Sequence, residues 1–212
     1  MVQRWAQMLL LSGSLAMGAL GCAADEVSVG STEAEFEDET LSEDALTSFT
    51  PRVVDPGKVY RGRMLTRDSE AQDLKALGIK TVIDLREPLQ QLYGIVTNKC
   101  LSCRSSEEKE ALTAVGITHI QGNIVPKSLF GGVNKEEVDK VMAILSEPKN
   151  YPIYVHCVQG EDRTGFISGL YRVEKQKWEA QKAYDEMIDL GFRTWLYGRN
   201  MGKFFKKRTG LD

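Results

Sequence analysis

The chain has 212 residues, with 27 Lys and Arg against 30 Asp and Glu and a mean hydropathy of −0.29. That length is enough for one domain with a sizeable core, and the ordinary globular balance speaks against a wholly disordered or repetitive chain. Charge is unevenly spread: Asp25–Ser48 carries nine acidic residues and no basic one, leaving 21 acidic and 26 basic residues after Ser48. An excess of five positive charges suits an anionic ligand through steering, although surface composition alone can produce as much. Nothing marks a nucleic-acid site.

The elements follow in chain order. Met1 to Gly21 resembles a secretory signal, with Arg4 ahead of an apolar run too short for a comfortable membrane span. Ala19-Leu20-Gly21-Cys22 resembles a bacterial lipobox, which would make Cys22 the lipidated residue of an exported, membrane-anchored chain. Cleavage near Ala23 or Ala24, giving a soluble secreted protein, and retention in the cytosol are the alternatives. The division expected is therefore 1–24 as signal, 25–48 as an acidic disordered tether and 49–212 as a catalytic domain.

Within that domain, Lys58–Arg63 predicts a strand. A helix follows from Thr66 or Asp68 to Leu77, stopped by Gly78. Ile79–Leu85 predicts a buried strand, and 87–103 a loop carrying Pro88, Cys100 and Cys103. A helix from Ser105 to Val115, a strand over Ile117–Ile120 and a loop over Gly122–Val133 come next. Asn134 caps a helix whose Val138, Val141, Met142 and Leu145 fall at helical spacing. Strand 151–155 and helices near 164–176, 178–190 and 195–207 complete the chain. Strands alternating with helices predict an α/β domain with a mostly parallel sheet flanked by helices.

The most specific stretch is His156-Cys157-Val158-Gln159-Gly160-Glu161-Asp162-Arg163-Thr164-Gly165. The apolar strand before it and the helix after it make a turn whose amides lack backbone partners and point at whatever sits in the loop. A cysteine at the base of such a cradle faces positive potential, which favours its thiolate. Arg163 offers a planar fork that matches two phosphate oxygens. Together these groups suit in-line attack on a phosphate ester. An ordinary strand-to-helix turn with a buried structural cysteine is the bland alternative.

This segment resembles the signature loop of the cysteine-dependent protein tyrosine and dual-specificity phosphatases. Lys58-Val59-Tyr60-Arg61-Gly62 and Leu77-Gly78-Ile79-Lys80-Thr81-Val82-Ile83-Asp84-Leu85-Arg86 resemble the opening of the bacterial enzymes and of the atypical plant and fungal branch. The resemblance implies the phosphotyrosine phosphatase fold, no metal and no cofactor. It implies Cys157 as nucleophile through a phosphocysteine intermediate, with Arg163 holding the phosphate and Thr164 assisting the departing thiolate. The loop residues His156, Val158, Gln159, Gly160 and Glu161 would surround the phosphate, His156 orienting the loop. Lys127 and the basic C-terminal stretch that includes Arg193 could hold further phosphates, or simply form a solvated face.

The general acid is open. The loop Gly122–Val133 has no carboxylate, which leaves Asp162, Asp84, Asp139 or no dedicated acid. A buried pair with Arg86 is the alternative role for Asp84, and a loop-shaping hydrogen bond the alternative for Asp162. Cys100 and Cys103 are expected to form a disulfide in an exported protein; redox protection of Cys157 or free thiols are the alternatives. Zinc is not expected, because no second cysteine pair exists to complete four ligands. The leading substrate is a phosphorylated protein, acted on by a monomer. Two further readings stay open: hydrolysis of a polyphosphorylated small molecule such as an inositol polyphosphate or pyrophosphate, and phosphate binding without turnover. A rhodanese-type sulfurtransferase fits Arg163-Thr164-Gly165 less well.

Overall fold

A computed structural model describes residues 50–86, 104–124, 133–195 and 197–211. Cys22, Cys100, Cys103 and Lys127, with the leader and tether, lie outside the described residues. A five-stranded sheet has the order β1-β2-β5-β3-β4, formed by β1 (Arg52–Asp55), β2 (Val59–Gly62), β3 (Thr81–Asp84), β4 (Thr118–Gln121) and β5 (Ile153–His156). The expected α/β architecture is present. The strand pairs β2–β5, β5–β3 and β3–β4 are parallel, and β1 alone runs antiparallel, to β2.

Among the described residues the α-helices are α1 (Ser69–Ala76), α2 (Arg104–Ala114), α3 (Lys135–Ile144), α4 (Asp162–Glu174), α5 (Ala180–Asp189) and α6 (Tyr197–Thr209). Asn134 caps α3 as expected, its side chain accepting from the Glu136 amide at 3.0 Å. Sequence periodicity did not signal β1. Its four residues, with Pro51 before and Pro56-Gly57 after, are too few to show alternation.

The sheet is covered on both faces, as its parallel part requires. Strand alternation sorts the core: Ile83, Ile153 and Val155 face a cluster with Val138, Val141, Phe166, Leu170, Met187 and Phe205, while Val82 and Tyr154 face Leu74, Ile79 and Leu112. Helix α4 is the central support, with every residue from Thr164 to Tyr171 buried. The registers align Gly62, His156 and Asp84 across neighbouring strands, and Asp84 with Gln121 of β4. Four strand ends therefore share one edge of the sheet, where the Cys157 loop leaves β5 and enters α4.

Candidate active site

Cys157 follows the last residue of β5, and Arg163 and Thr164 lie in the first turn of α4. The loop is held from beneath at several points. The Met64 amide donates to the Val158 carbonyl at 3.2 Å, and Arg61 donates through Nη2 to the Gly160 carbonyl at 2.7 Å. Gly160 has φ +77°, and a Cβ there would lie 2.4 Å from the Gly62 carbonyl oxygen. Only glycine meets both the positive φ and the close approach to β2.

Cys157 is 5% exposed. Burial pushes its thiol pKa up, but the Thr164 hydroxyl and amide, the Arg163 guanidinium and the Gly160 amide outweigh it, and the net direction is down. The Thr164 hydroxyl is buried beside the sulfur and has no other hydrogen-bond partner among the described residues. A cavity of about 170 Å³ opens above, lined by Cys157, Val158, Gln159, Asp162, Arg163 and Arg193, together with Met201. A nucleophilic sulfur, a helix N-terminus and two guanidinium groups around one small cavity suit capture and transfer of a phosphoryl group.

Beneath the loop lies a fully buried charge network. His156 donates through Nδ1 to the Cys157 carbonyl at 3.0 Å, in the protonated form that its surroundings favour, and its Nε2 lies 2.8 Å from Glu108 Oε1 of α2. That second contact is an ion pair poorly aligned for a hydrogen bond, because neither atom finds a well-aligned partner. Arg86 joins Glu108 at 2.5 Å and grips both oxygens of Asp84, at 2.8 Å and 2.6 Å. Burial alone would lower the His156 pKa, but the Glu108 and Asp84 charges raise it to about 9. Two carboxylates thus balance a guanidinium and an imidazolium. Asp84, Glu108 and His156 come close enough to hold a metal ion, yet the Arg86 guanidinium already bridges the two carboxylates.

Two expectations are corrected by this network. Asp84 is not placed to be a general acid: it is fully buried and outside the Cys157 cavity, and although burial pushes its pKa up, His156, His119 and Arg86 outweigh that and hold its carboxyl well below the usual range. It takes the alternative role, the buried pair with Arg86. His156 does not line the cavity either; it supports the loop from below. Asp139 is distant in kind, a half-buried α3 residue paired with Lys135 and Arg208. Asp162 does line the cavity, where its carboxylate accepts from the Arg193 backbone N–H and Nε, each at 2.9 Å, and from Nη2. Glu161 turns from the Cys157 cavity and packs beside Gly191.

Sequence reasoning missed Glu108 and gave Arg61 and Arg193 no specific place at the loop. Glu108 had one readable signal: it shares a helical stripe with buried Leu112, four residues on, where an acid needs a buried partner. Arg193 Nη2 also donates to Gln159 at 3.2 Å, so the segment before α6 closes one side of the cavity.

Comparisons with known proteins bear on the family and the fold. The sequence profile of the tyrosine phosphatase family matches residues 45–172. The dual specificity protein phosphatase TpbA of Pseudomonas aeruginosa is 42% identical over 61 residues, which is 28% of this chain and 28% of that protein. The inositol diphosphatase DSP2 of Oryza sativa subsp. japonica is 30% identical over 60 residues, 28% of this chain and 29% of that protein. The aligned stretch therefore spans under a third of either relative. The crystal structure of TpbA superposes with a TM-score of 0.54 at 20% identity, covering 74% of this chain and 89% of that one, and so shares the fold.

Proposed function

The chain belongs to the tyrosine phosphatase family, and from that premise we propose that it hydrolyses phosphate monoesters through a phosphocysteine intermediate. The observation that carries this reading is the Cys157 thiol, buried yet lowered in pKa at the base of a strand-to-helix loop. The substrate phosphate sits over the sulfur, where the loop amides and the Arg163 fork hold its oxygens. The Cys157 thiolate attacks phosphorus, a phosphocysteine forms and the alcohol or phenol leaves. Water then attacks phosphorus, and Thr164 stabilises the thiolate as it departs. His156 lies outside this exchange and keeps the Cys157 carbonyl, and with it the loop, in place.

The proton for the leaving group is assigned to Asp162, the carboxylate that lines the cavity among the described residues. Both of its oxygens are taken up by Arg193, Oδ1 by the backbone N–H and Oδ2 by the guanidinium, so that pairing must open before the carboxyl can serve a leaving group. That pairing favours a second reading, a phosphoanhydride substrate whose leaving phosphate needs no proton. The first reading takes a phosphorylated protein, the second a polyphosphorylated small molecule such as an inositol pyrophosphate, and the inositol diphosphatase likeness supports the second. Export, with attachment through Cys22 and a Cys100–Cys103 disulfide, belongs to the same proposal. Lipid labelling lost in Cys22→Ser would support the anchor, and retained labelling would remove it.

Hydrolysis of p-nitrophenyl phosphate by the full chain, with reductant and EDTA, tests the reading. Turnover that survives EDTA and disappears in Cys157→Ser supports it; undiminished turnover in Cys157→Ser sinks it.

A further inference from the structure

A second cavity, of about 370 Å³, lies on the other side of Gln159, which lines both. Arg52, Arg61, Arg63 and Glu161 are among its walls, so three guanidinium groups meet one carboxylate. Arg63 is committed elsewhere, binding Glu70 through both terminal nitrogens at 3.0 and 2.9 Å. Arg61 is not fully satisfied. It is 3% exposed, its Nη2 holds Gly160, and its buried Nη1 has no hydrogen-bond partner among the described residues. A buried charged donor left unpaired is costly and calls for a partner. Arg52 stands opposite Arg61 in the β1–β2 register and is exposed.

We propose that this cavity is a second oxyanion site, in which Arg52 and Arg61 take a phosphate group other than the one under attack. The proposal rests on the phosphatase reading for its ligand chemistry: the occupant is either a further phosphate of a polyphosphorylated substrate or free phosphate. Guanidinium forks match phosphate oxygens bidentately, and the net positive lining accepts an anion despite Glu161. Arg61 touches the occupant's cavity and the Gly160 carbonyl at once, so filling the site also steadies the catalytic loop.

The test uses the full chain, p-nitrophenyl phosphate as substrate, and inorganic phosphate and myo-inositol hexakisphosphate as inhibitors. Arg52→Ala is the variant, because replacing Arg61 would also release Gly160. If the occupant belongs to the substrate, Arg52→Ala raises the hexakisphosphate inhibition constant about tenfold relative to that of inorganic phosphate, the loss of one charge-assisted contact, and Arg52→Lys restores part of it. If the occupant is free phosphate, inhibition by phosphate is mixed in the parent and purely competitive in Arg52→Ala. Purely competitive inhibition by both anions, with constants untouched by Arg52→Ala, overturns the site. Should the chain fail to turn over p-nitrophenyl phosphate, the phosphatase reading fails separately, and calorimetric titration with hexakisphosphate decides: a tenfold loss in Arg52→Ala keeps the site and equal binding removes it.

Discussion

The floor and the rim of the Cys157 loop are both built from ion pairs, yet they differ in kind. Below the loop, Asp84, Glu108, Arg86 and His156 are each at most 3% exposed. At the rim, the Arg193 side chain of the Arg193–Asp162 pair is 47% exposed. In the floor a charge removed singly leaves its partners buried and uncompensated, so the group behaves as one unit. At the rim solvent reaches the Arg193 side of the pair and screens the same change. The difference separates two tasks: the floor fixes loop shape, and the rim serves the leaving group and the choice of substrate.

The sharpest way to break this distinction is to cut the floor. Glu108→Ala strands His156 and Arg86, and a loss of about 3–5 kcal/mol is expected in urea unfolding. A loss under about 1 kcal/mol would mean the floor is no more coupled than the rim. The rim is expected to answer in catalysis instead. Asp162→Asn lowers kcat about 100-fold for an alkyl phosphate, with little change for a phosphoanhydride; equal losses on both would separate Asp162 from proton donation.

The floor also carries a pH signature. The His156 pKa is raised above its ordinary 6.5 to about 9, so the folded state binds its proton more tightly than the unfolded chain does. That stabilisation is complete below about pH 6.5 and is lost as pH rises through about 9. The thermal midpoint of the parent should fall across that interval, and Glu108→Gln should flatten the fall; parallel curves would assign the pH dependence to other groups. The smallest effect expected is at the rim, where Arg193→Ala costs under about 1 kcal/mol in unfolding. A larger cost would make Arg193 part of the structural frame.

The same contrast explains what was legible in the sequence. The Cys157–Thr164 loop, the strands β2 to β5 and the helices were readable because each is a local pattern: an apolar run, a cap, a glycine stop. Their boundaries lie within about two residues of the observed ones, the ordinary spread for element ends. The floor was not readable, because Glu108 meets His156 only after α2 packs against the sheet, and no short-range spacing links them. Asp84 was placed near the loop correctly, but its role turned on Arg86 and Glu108 converging on it. Arg61 stood in a recognisable segment while its partner, the Gly160 carbonyl, is a backbone atom 99 residues away.

The most direct measurement is the mass of the Cys157 peptide from enzyme quenched in acid during turnover of p-nitrophenyl phosphate, with Thr164→Ala included to slow breakdown of the intermediate. The expected result is one phosphoryl group on Cys157, more abundant in Thr164→Ala and absent in Cys157→Ser. Steady turnover with an unmodified Cys157 peptide in both the parent and Thr164→Ala, and undiminished in Cys157→Ser, would contradict phosphocysteine chemistry at this loop.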